Sequence, residues 1–530
     1  MKKLTAILLA ALLVFTLAAC SGDGGSGDQN QTPSGGDTQQ SGGDQQAAPE
    51  KDTLYVAINA DVQNLDPYLT SSATDNLVNY EMYDGLVKMS PQNEAKPWIA
   101  TEWDISDDGL TYTFKLRDDV VFHNGEKLTS DDVVFSAERA FQSAYMASTF
   151  ALYCESANAP DDYTVELHLR QPYAPFISLL DTAFVIHSRK AWEDAGSDEA
   201  FLEHPIGTGP YQFVEHKLGE SVTLKANPDH FAIVPAVPNV VYKVITDPST
   251  ISVALETGEI DLAGYGSAVP ATNLALLEQN ESLNIQYKDS VTTAYITMNT
   301  EVAPFDNKLV RQAVSYAVDK QFLIDVAEDG HGTVATAMTN SLIFGHPEKL
   351  KGQPFDMEKA KSLLAEAGYP DGAGLGRHEL KVMEGKSQAA AQAVQNNLVQ
   401  LGMDVGIQVM EKNAYLADVL SGGYTIAYLS ITLGSDAAMY SQIFTTPNIN
   451  GLNSARVSDA EIDQLFADAE TTTDTAARIA GYEKVFERLE DECYYAPLYY
   501  PQNAYITNKR IVLGDLYPSG LYVYQITLTK

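Results

Sequence analysis

The stretch SITLGSDAAMY at 430–440 holds one carboxylate, Asp436, among small residues and the hydroxyls of Ser430, Thr432 and Ser435, and it closes on Tyr440. A carboxylate in such a setting can hold an ammonium group, which is recognition chemistry rather than catalysis. The motifs that catalysis needs do not accompany it. GYGSA at 264–268 places its serine one position too late for the strained GxSxG turn of a hydrolase. There is no HExxH and no P-loop, and the Gly-rich GAGLGRHE at 372–379 follows a Pro-Asp-Gly turn, where a plain loop is expected. Adjacent acids such as Asp107 and Asp108 are explained by a turn. The nine histidines are scattered, none lies beyond His378, and only His331, in DGHGT, sits in a conspicuously flexible context. With no imidazole in 430–440, direct metal ligation there is not expected, and neither is a cofactor.

The elements around this stretch read as alternating strands and helices. Strand patterning recurs in TLYVAI (53–58), TYTFKL (111–116), YTVELHL (163–169) and NVVYKVIT (239–246). DMEKAKSLLAEAGYP gives a helix capped by Asp356, with Ala360, Leu363, Leu364 and Ala367 on one face and a stop at Gly368. DNKLVRQAVSYAVDK places Leu309, Val310, Ala313, Val314 and Ala317 at helical spacing, and SQAAAQAVQNNLVQLG is a helix ended by Gly402 before the strand MDVGIQVM. The body is therefore α/β, without an internal repeat. The tyrosine-rich CYYAPLYYPQNAYITNKRIV and the final LYVYQITLTK predict strands that return to an existing sheet.

The N-terminus has a different character. Two lysines precede sixteen uncharged residues, Leu4 to Ala19, and a small-residue site ends in Cys20. That is the layout of a signal peptide over 1–19, since a spanning helix needs about 20 apolar residues. The LAAC ending resembles the lipobox of bacterial lipoproteins, which implies lipidation at Cys20 and a location on the outer face of the cell membrane. Residues 20–50, rich in Gly, Ser, Asp and Gln, predict a disordered linker. With 71 acidic against 34 basic residues and a net charge of −37, the chain is repelled by phosphates, which argues against nucleic-acid binding and leaves the lipid as the expected membrane contact. Cys154 and Cys493 share no CxxC or metal spacing and are expected as two separate buried thiols.

Longer blocks carry a family resemblance. NLDPYLTSSATDNLVNYEMYDGLVKM (64–89) resembles the opening of the family 5 extracellular solute-binding proteins, the oligopeptide and dipeptide receptors of ABC importers. The likeness continues through PWIATEWDISDDGLTYTFKLRDDVVFHNGEKLTSDDVVFSAERA (97–140), PIGTGPYQF (205–213), ALETGEIDL (254–262), AYITMNTEVAPFDNKLVRQAVSYAVDK (294–320) and DMEKAKSLLAEAGYPDG (356–372). These motifs read as structural: SDDG as a turn, HNGE as a hairpin turn, and LTSDDVV as a helix start capped by Thr129 or Ser130.

The resemblance implies an α/β, two-lobed periplasmic-binding-protein-like fold (class II, large peptide-receptor type) with an inserted subdomain in lobe one. Lobe one would comprise 51–296 plus 499–530, with the subdomain near 90–204, and lobe two 297–498. The chain would cross between lobes near Thr297 to Asn299 and near Leu498 to Tyr500, and the body would be a monomer serving ABC permease subunits without catalysis. Carried over by motif, the ligand-binding positions are Asn64, Asp66 and Tyr83 on lobe one, Tyr265, Gly266 and Ser267 in the GYGSAVP loop, and Tyr295, Thr297 and Asn299 on the first crossing. Thr432, Leu433, Ser435, Asp436 and Tyr440 follow on lobe two, then Tyr499 at the second crossing, with Tyr500 a weaker candidate. In the family's peptide receptors an amine-binding acid sits in the segment matching 430–440, after a tryptophan and before a proline. Here both are absent, and aligning Tyr440 with the family's aromatic puts that acid at Leu433, three residues before Asp436. Either Asp436 takes the role through a shifted loop or the ligand lacks a free amine there. A peptide is the expected ligand; the alternatives are a metal chelate or an opine-like or sugar-like solute, with a secreted hydrolase as the distant reading.

Overall fold

The computed structural model describes residues 52–529 except 265–268, 270, 386, 518 and 519. The signal peptide, Cys20 and the linker therefore lie outside the described residues, as do Tyr265, Gly266 and Ser267. A twelve-stranded mixed sheet organises the body. Its centre is one 14-residue strand, Tyr495–Asn508, formed from the tyrosine-rich segment predicted to be extended.

The two ends of that strand pair with different parts of the chain. Its second half, from Gln502 to Asn508, lies antiparallel to Leu283–Asp289, and Leu262–Ala263 joins it to Thr53–Ile58 and Asn239–Val244. Its first half pairs with Thr292–Met298, which pairs in turn with Ile426–Thr432. The change of partners falls at Ser290–Val291 and around Tyr500–Pro501. With the part of the body around Thr53–Ile58 as its first half and the part around Ile426–Thr432 as its second, Thr297 to Asn299, expected at a crossing, lie inside the second half of the body: Thr297 faces Ala427 and Tyr495 in register. The physical reason is burial. Six of the seven residues of Thr292–Met298 are buried, so both faces are covered, and Ala294, Ile296 and Met298 enter one core while Tyr295 enters another.

Sequence signals for helices translate directly. Met357–Glu366 starts at Asp356, whose carboxylate accepts from Lys359 N at 2.9 Å. Lys308–Ala317 buries Val310, Ala313, Val314 and Ala317, and Ser387–Leu401 stops before Gly402. Ser130–Gln142 starts at Thr129, where Thr129 N donates to Asp132 at 2.9 Å. Within 90–204 an antiparallel four-stranded sheet joins Ala100–Ile105, Thr111–Leu116, Thr164–Leu169 and Cys154–Asp161 in that order, and its core is continuous with that of the first half. This segment also reaches the second half of the body, through Asn93 Nδ2 to Leu342 O (2.5 Å) and Ala174 N to Glu470 O (2.7 Å).

The tail departs from its expectation. Beyond Asn508 the described residues form only two-residue strands and a turn, Val523–Gln525, and do not rejoin the large sheet. Val523 N and Tyr524 N instead donate to the buried Glu81 carboxylate. Cys154 and Cys493 are free and buried, as read from their spacing, and burial pushes their thiols up to about 12 and about 11.

The PIGTGPYQF block now has a physical reason. Gly207 and Gly209 pass against the backbone of Glu81 and Met82, and a Cβ on Gly209 would lie 2.4 Å from the Met82 carbonyl carbon. Gly209→Ala is expected to cost about 1–3 kcal/mol by forcing two backbones apart; urea denaturation checks it, and an unchanged midpoint would show that the contact is dispensable.

Candidate functional site

A cavity of about 690 Å³ opens where the two halves of the sheet meet. From the first half it is lined by Asn59, Thr74, Leu77, Gly264, Tyr505 and Tyr517. The change-over segment contributes Lys288 to Thr292 and Asn503, and the second half contributes Leu342 and Thr432. The wall therefore mixes hydroxyls, amides and aromatic rings, with Lys288 and Asp289 its only charged residues among the described ones. Several of these groups are already oriented. Thr292 and Thr432 share a hydrogen bond of 2.7 Å between their hydroxyls, and Gln502 Nε2 donates to Asp289 Oδ1 at 2.8 Å. Gly264 sits at φ +100°, and a Cβ there would come within 1.9 Å of Ala504 O, so only glycine lets the chain pass this wall.

Of the residues expected to bind ligand, Thr432 lies on this cavity. Asn64 is half-buried, and its carbonyl accepts from Asn79. Asp66 is fully buried: it caps Pro67–Leu69 and meets His187 Nε2 at 3.1 Å and Arg139 Nη2 at 2.8 Å. Burial pushes its carboxyl up, yet His187 and Arg139 together outweigh that and hold it well below the usual range. Tyr83 is buried beside it, donating to Leu65 O at 2.9 Å. This is a structural ion cluster, because a charge so enclosed needs fixed partners.

On the second half, double-sided burial removes the tyrosines from the cavity. Tyr295 packs edge-on against Tyr495, and Thr297 bonds Tyr424 and Ser454 at 2.9 and 3.1 Å. Asn299 donates to Gly422 O and Tyr424 O, both at 3.1 Å. Tyr499 bonds Tyr428 OH (2.7 Å) and Glu328 (3.2 Å), while Tyr500 donates to Thr339 O at 2.6 Å. Leu433 packs on an apolar cluster, Ser435 O accepts from Phe344 N, and Tyr440 is buried against Phe444.

Asp436 is not a free anchor either. Its carboxylate meets Arg478 Nη2 at 2.5 Å, with both side chains 8% exposed, and caps the turn Ala437–Tyr440 through Ala438 N at 2.9 Å. Burial pushes the carboxyl up from the ordinary aspartate value, while Arg478 pulls it back. Arg478 in turn lies over Phe344, 4.5 Å from the ring centre. An ammonium would have to displace a buried guanidinium to reach this acid.

Residue type does not mark the lining that sequence reading missed, which includes Lys288 to Thr292. Its one local signal was the end of a polar strand, LNIQYKD, running straight into the family block that starts at Ala294. Among the described residues no three His, Cys, Asp or Glu side chains converge in a way that could hold a metal.

Comparison with known proteins is consistent across sequence and structure. Residues 94–451 match the family described as bacterial extracellular solute-binding proteins, family 5 Middle. The chain is 30% identical over 463 residues to the glutathione-binding protein GsiB of Escherichia coli O1:K1 / APEC, covering 84% of this chain and 88% of that one. DppA from Helicobacter pylori, solved with the peptide STSA, is 27% identical with a TM-score of 0.69, covering 90% of this chain and 98% of its own. NikA from Brucella suis, solved with Fe(III)-EDTA, is 26% identical with a TM-score of 0.79, covering 90% and 100%. The architecture of these relatives is the two-lobed α/β binding-protein fold. The chain belongs to family 5 of the bacterial extracellular solute-binding proteins, non-catalytic receptors that capture a small solute outside the cytoplasm for the permease of an ABC importer.

Proposed function

We propose that the solute is a short peptide held in the 690 Å³ cavity. The observation that carries this reading is the cavity wall itself: hydroxyls, amides and one charge of each sign surround a space of the size that small-ligand sites use. Such a wall suits a peptide backbone, which needs donors and acceptors along its length and a counter-charge for its ends. Two relatives point the same way, one named for glutathione and one solved with a tetrapeptide.

In this reading lobe one is 52–289 with the tail from 502, and lobe two is 291–500. The hinge is Ser290–Val291 together with Tyr500–Pro501, where the strand partners change. Ligand contacts from both sides, Tyr505 and Thr74 on one and Thr432 on the other, would favour the closed lobes over the open ones. Cys20 would carry a lipid, and 20–50 would tether the receptor to the outer face of the cell membrane, where its permease lies.

Thermal unfolding with di- and tripeptide pools tests the reading. A peptide at 100 times its Kd should stabilise the protein by about 2.7 kcal/mol. Fe(III)-EDTA forms the second arm, in view of the NikA likeness. A shift with a chelate and none with any peptide would overturn the proposal.

A further inference from the structure

Asn93 sits where the inserted subdomain begins, in the turn 90–94 that joins Val87–Met89 to Ala95–Pro97. The turn is closed by its own backbone: Ser90 N donates to Glu94 O and Asn93 N to Ser90 O, both at 2.9 Å. Asn93 adopts φ +59°, in the left-handed region that glycine and asparagine enter at least cost. Its side chain closes no part of the turn, yet it is buried, 8% exposed, and donates from Nδ2 to Leu342 O at 2.5 Å.

The segment that receives this bond is tied to both crossings. Leu342 N donates to Asn340 Oδ1 at 3.1 Å, and Asn340 Nδ2 donates to Ser290 O at 2.5 Å. Tyr500 OH donates to Thr339 O at 2.6 Å. Ser290 and Tyr500 stand where the strand partners change, so 339–342 bonds the subdomain on one side and both crossings on the other. A second contact between the subdomain and this half, Ala174 N to Glu470 O at 2.7 Å, runs from backbone to backbone and survives any side-chain substitution at Asn93. Bonds between lobes exist only while the lobes are closed, and they favour that state together with whatever the solute contributes. Neither asparagine lines the cavity, whereas Leu342 and Ser290 do.

Resting on the lobe boundaries given above, we propose that Asn93 and Asn340 form a latch between the inserted subdomain and the hinge that sets the open-to-closed ratio of the receptor from outside the cavity. Asn93 joins the lobes, and Asn340 carries that bond to Ser290. Asn93 is thus a positioning residue: it acts on solute affinity through the fraction of molecules that are closed.

Hydrogen exchange of the full chain without added solute tests this, because the Ala174 amide is bonded across the lobes and is freed each time they part, however rarely. Asn93→Gly removes the Nδ2 donor and keeps the backbone conformation, and Asn93→Asp replaces the donor with a carboxylate facing Leu342 O. In both variants the Ala174 amide should exchange about 3–10-fold faster than in the wild type, the scale of one hydrogen bond. The amides of Thr111–Leu116, inside the four-stranded sheet of the subdomain, should keep their wild-type rates. An unchanged Ala174 rate in both variants overturns the latch while the lobe boundaries stand. Faster exchange that Thr111–Leu116 share also overturns it, since the subdomain itself would then be loosened. A wild-type Ala174 amide as well protected as those of Thr111–Leu116 overturns the lobe boundaries and the latch together, because the two halves would then part only on unfolding. No peptide enters the measurement, so the peptide reading stands or falls separately.

Discussion

Arg478→Met should destabilise the protein by about 3–5 kcal/mol at neutral pH, the cost of leaving Asp436 charged, buried and unpaired. Arg478 Nη2 is the cation on Asp436, at 2.5 Å, and nothing else in that pocket can replace it: Phe344 and Tyr482 flank the guanidinium, and Glu470 adds a further acid nearby. Two further measurements tie the effect to charge. The loss should shrink towards pH 4, because the unpaired Asp436, already pushed up by burial, then takes a proton. Asp436→Asn combined with Arg478→Met should recover most of the stability, since Asn keeps the cap on Ala438 N and removes the orphaned charge. Urea denaturation at two pH values decides it; a single variant within about 1 kcal/mol of the wild type would mean the pair is solvated. The same geometry explains why this segment departs from the family's amine-binding pattern: the acid is already neutralised from within.

Glu81 should make stability fall as pH rises, by up to about 1.4 kcal/mol for each unit through which its folded and unfolded proton occupancy differ. Burial pushes its carboxyl up to about 8, against the pull of Val523 N, Tyr524 N and Lys88, from an ordinary value of 4.5. A group raised on folding contributes fully below 4.5 and loses that contribution as pH climbs to about 8. Asp66 and Asp84 are lowered and act in the opposite sense, contributing above the ordinary value of 3.8 and losing it as pH falls below. Glu81→Gln should flatten the decline between pH 5 and 8 without altering the acid limb. A variant that declines as steeply as the wild type would show that Glu81 is ionised in the folded protein, held so by its two backbone donors at 2.6 and 3.2 Å.

Much of the fold was legible because its signals are local. Asp356, Thr129 and Gly402 mark helix ends through their own hydrogen bonds or backbone freedom, and the alternation in TLYVAI and TYTFKL reports the two faces of a strand. The motif blocks were legible for the same reason: Gly207 and Gly209 are required by one close backbone approach. The tail was misread because LYVYQITLTK has strand-like residues, while the burial of Glu81 gives Val523 and Tyr524 better partners than a sheet edge would.

The site was less legible, and particular residues show why. Tyrosines, an acid and hydroxyls look like recognition groups in a sequence, but each can equally satisfy itself inside a core. Tyr295, Tyr499 and Asp436 do so through Tyr495, Tyr428 and Arg478, the last two of these lying 71 and 42 residues away in the chain. The sequence by itself determined the family, the α/β class, most element boundaries and the acidic, non-catalytic character of the chain, since these follow from composition, periodicity and short-range capping. Only the tertiary structure decided which polar residues face the cavity. That choice depends on where one 14-residue strand changes partners and on which of its neighbours are covered on both faces, and both are set by contacts between segments far apart in the chain.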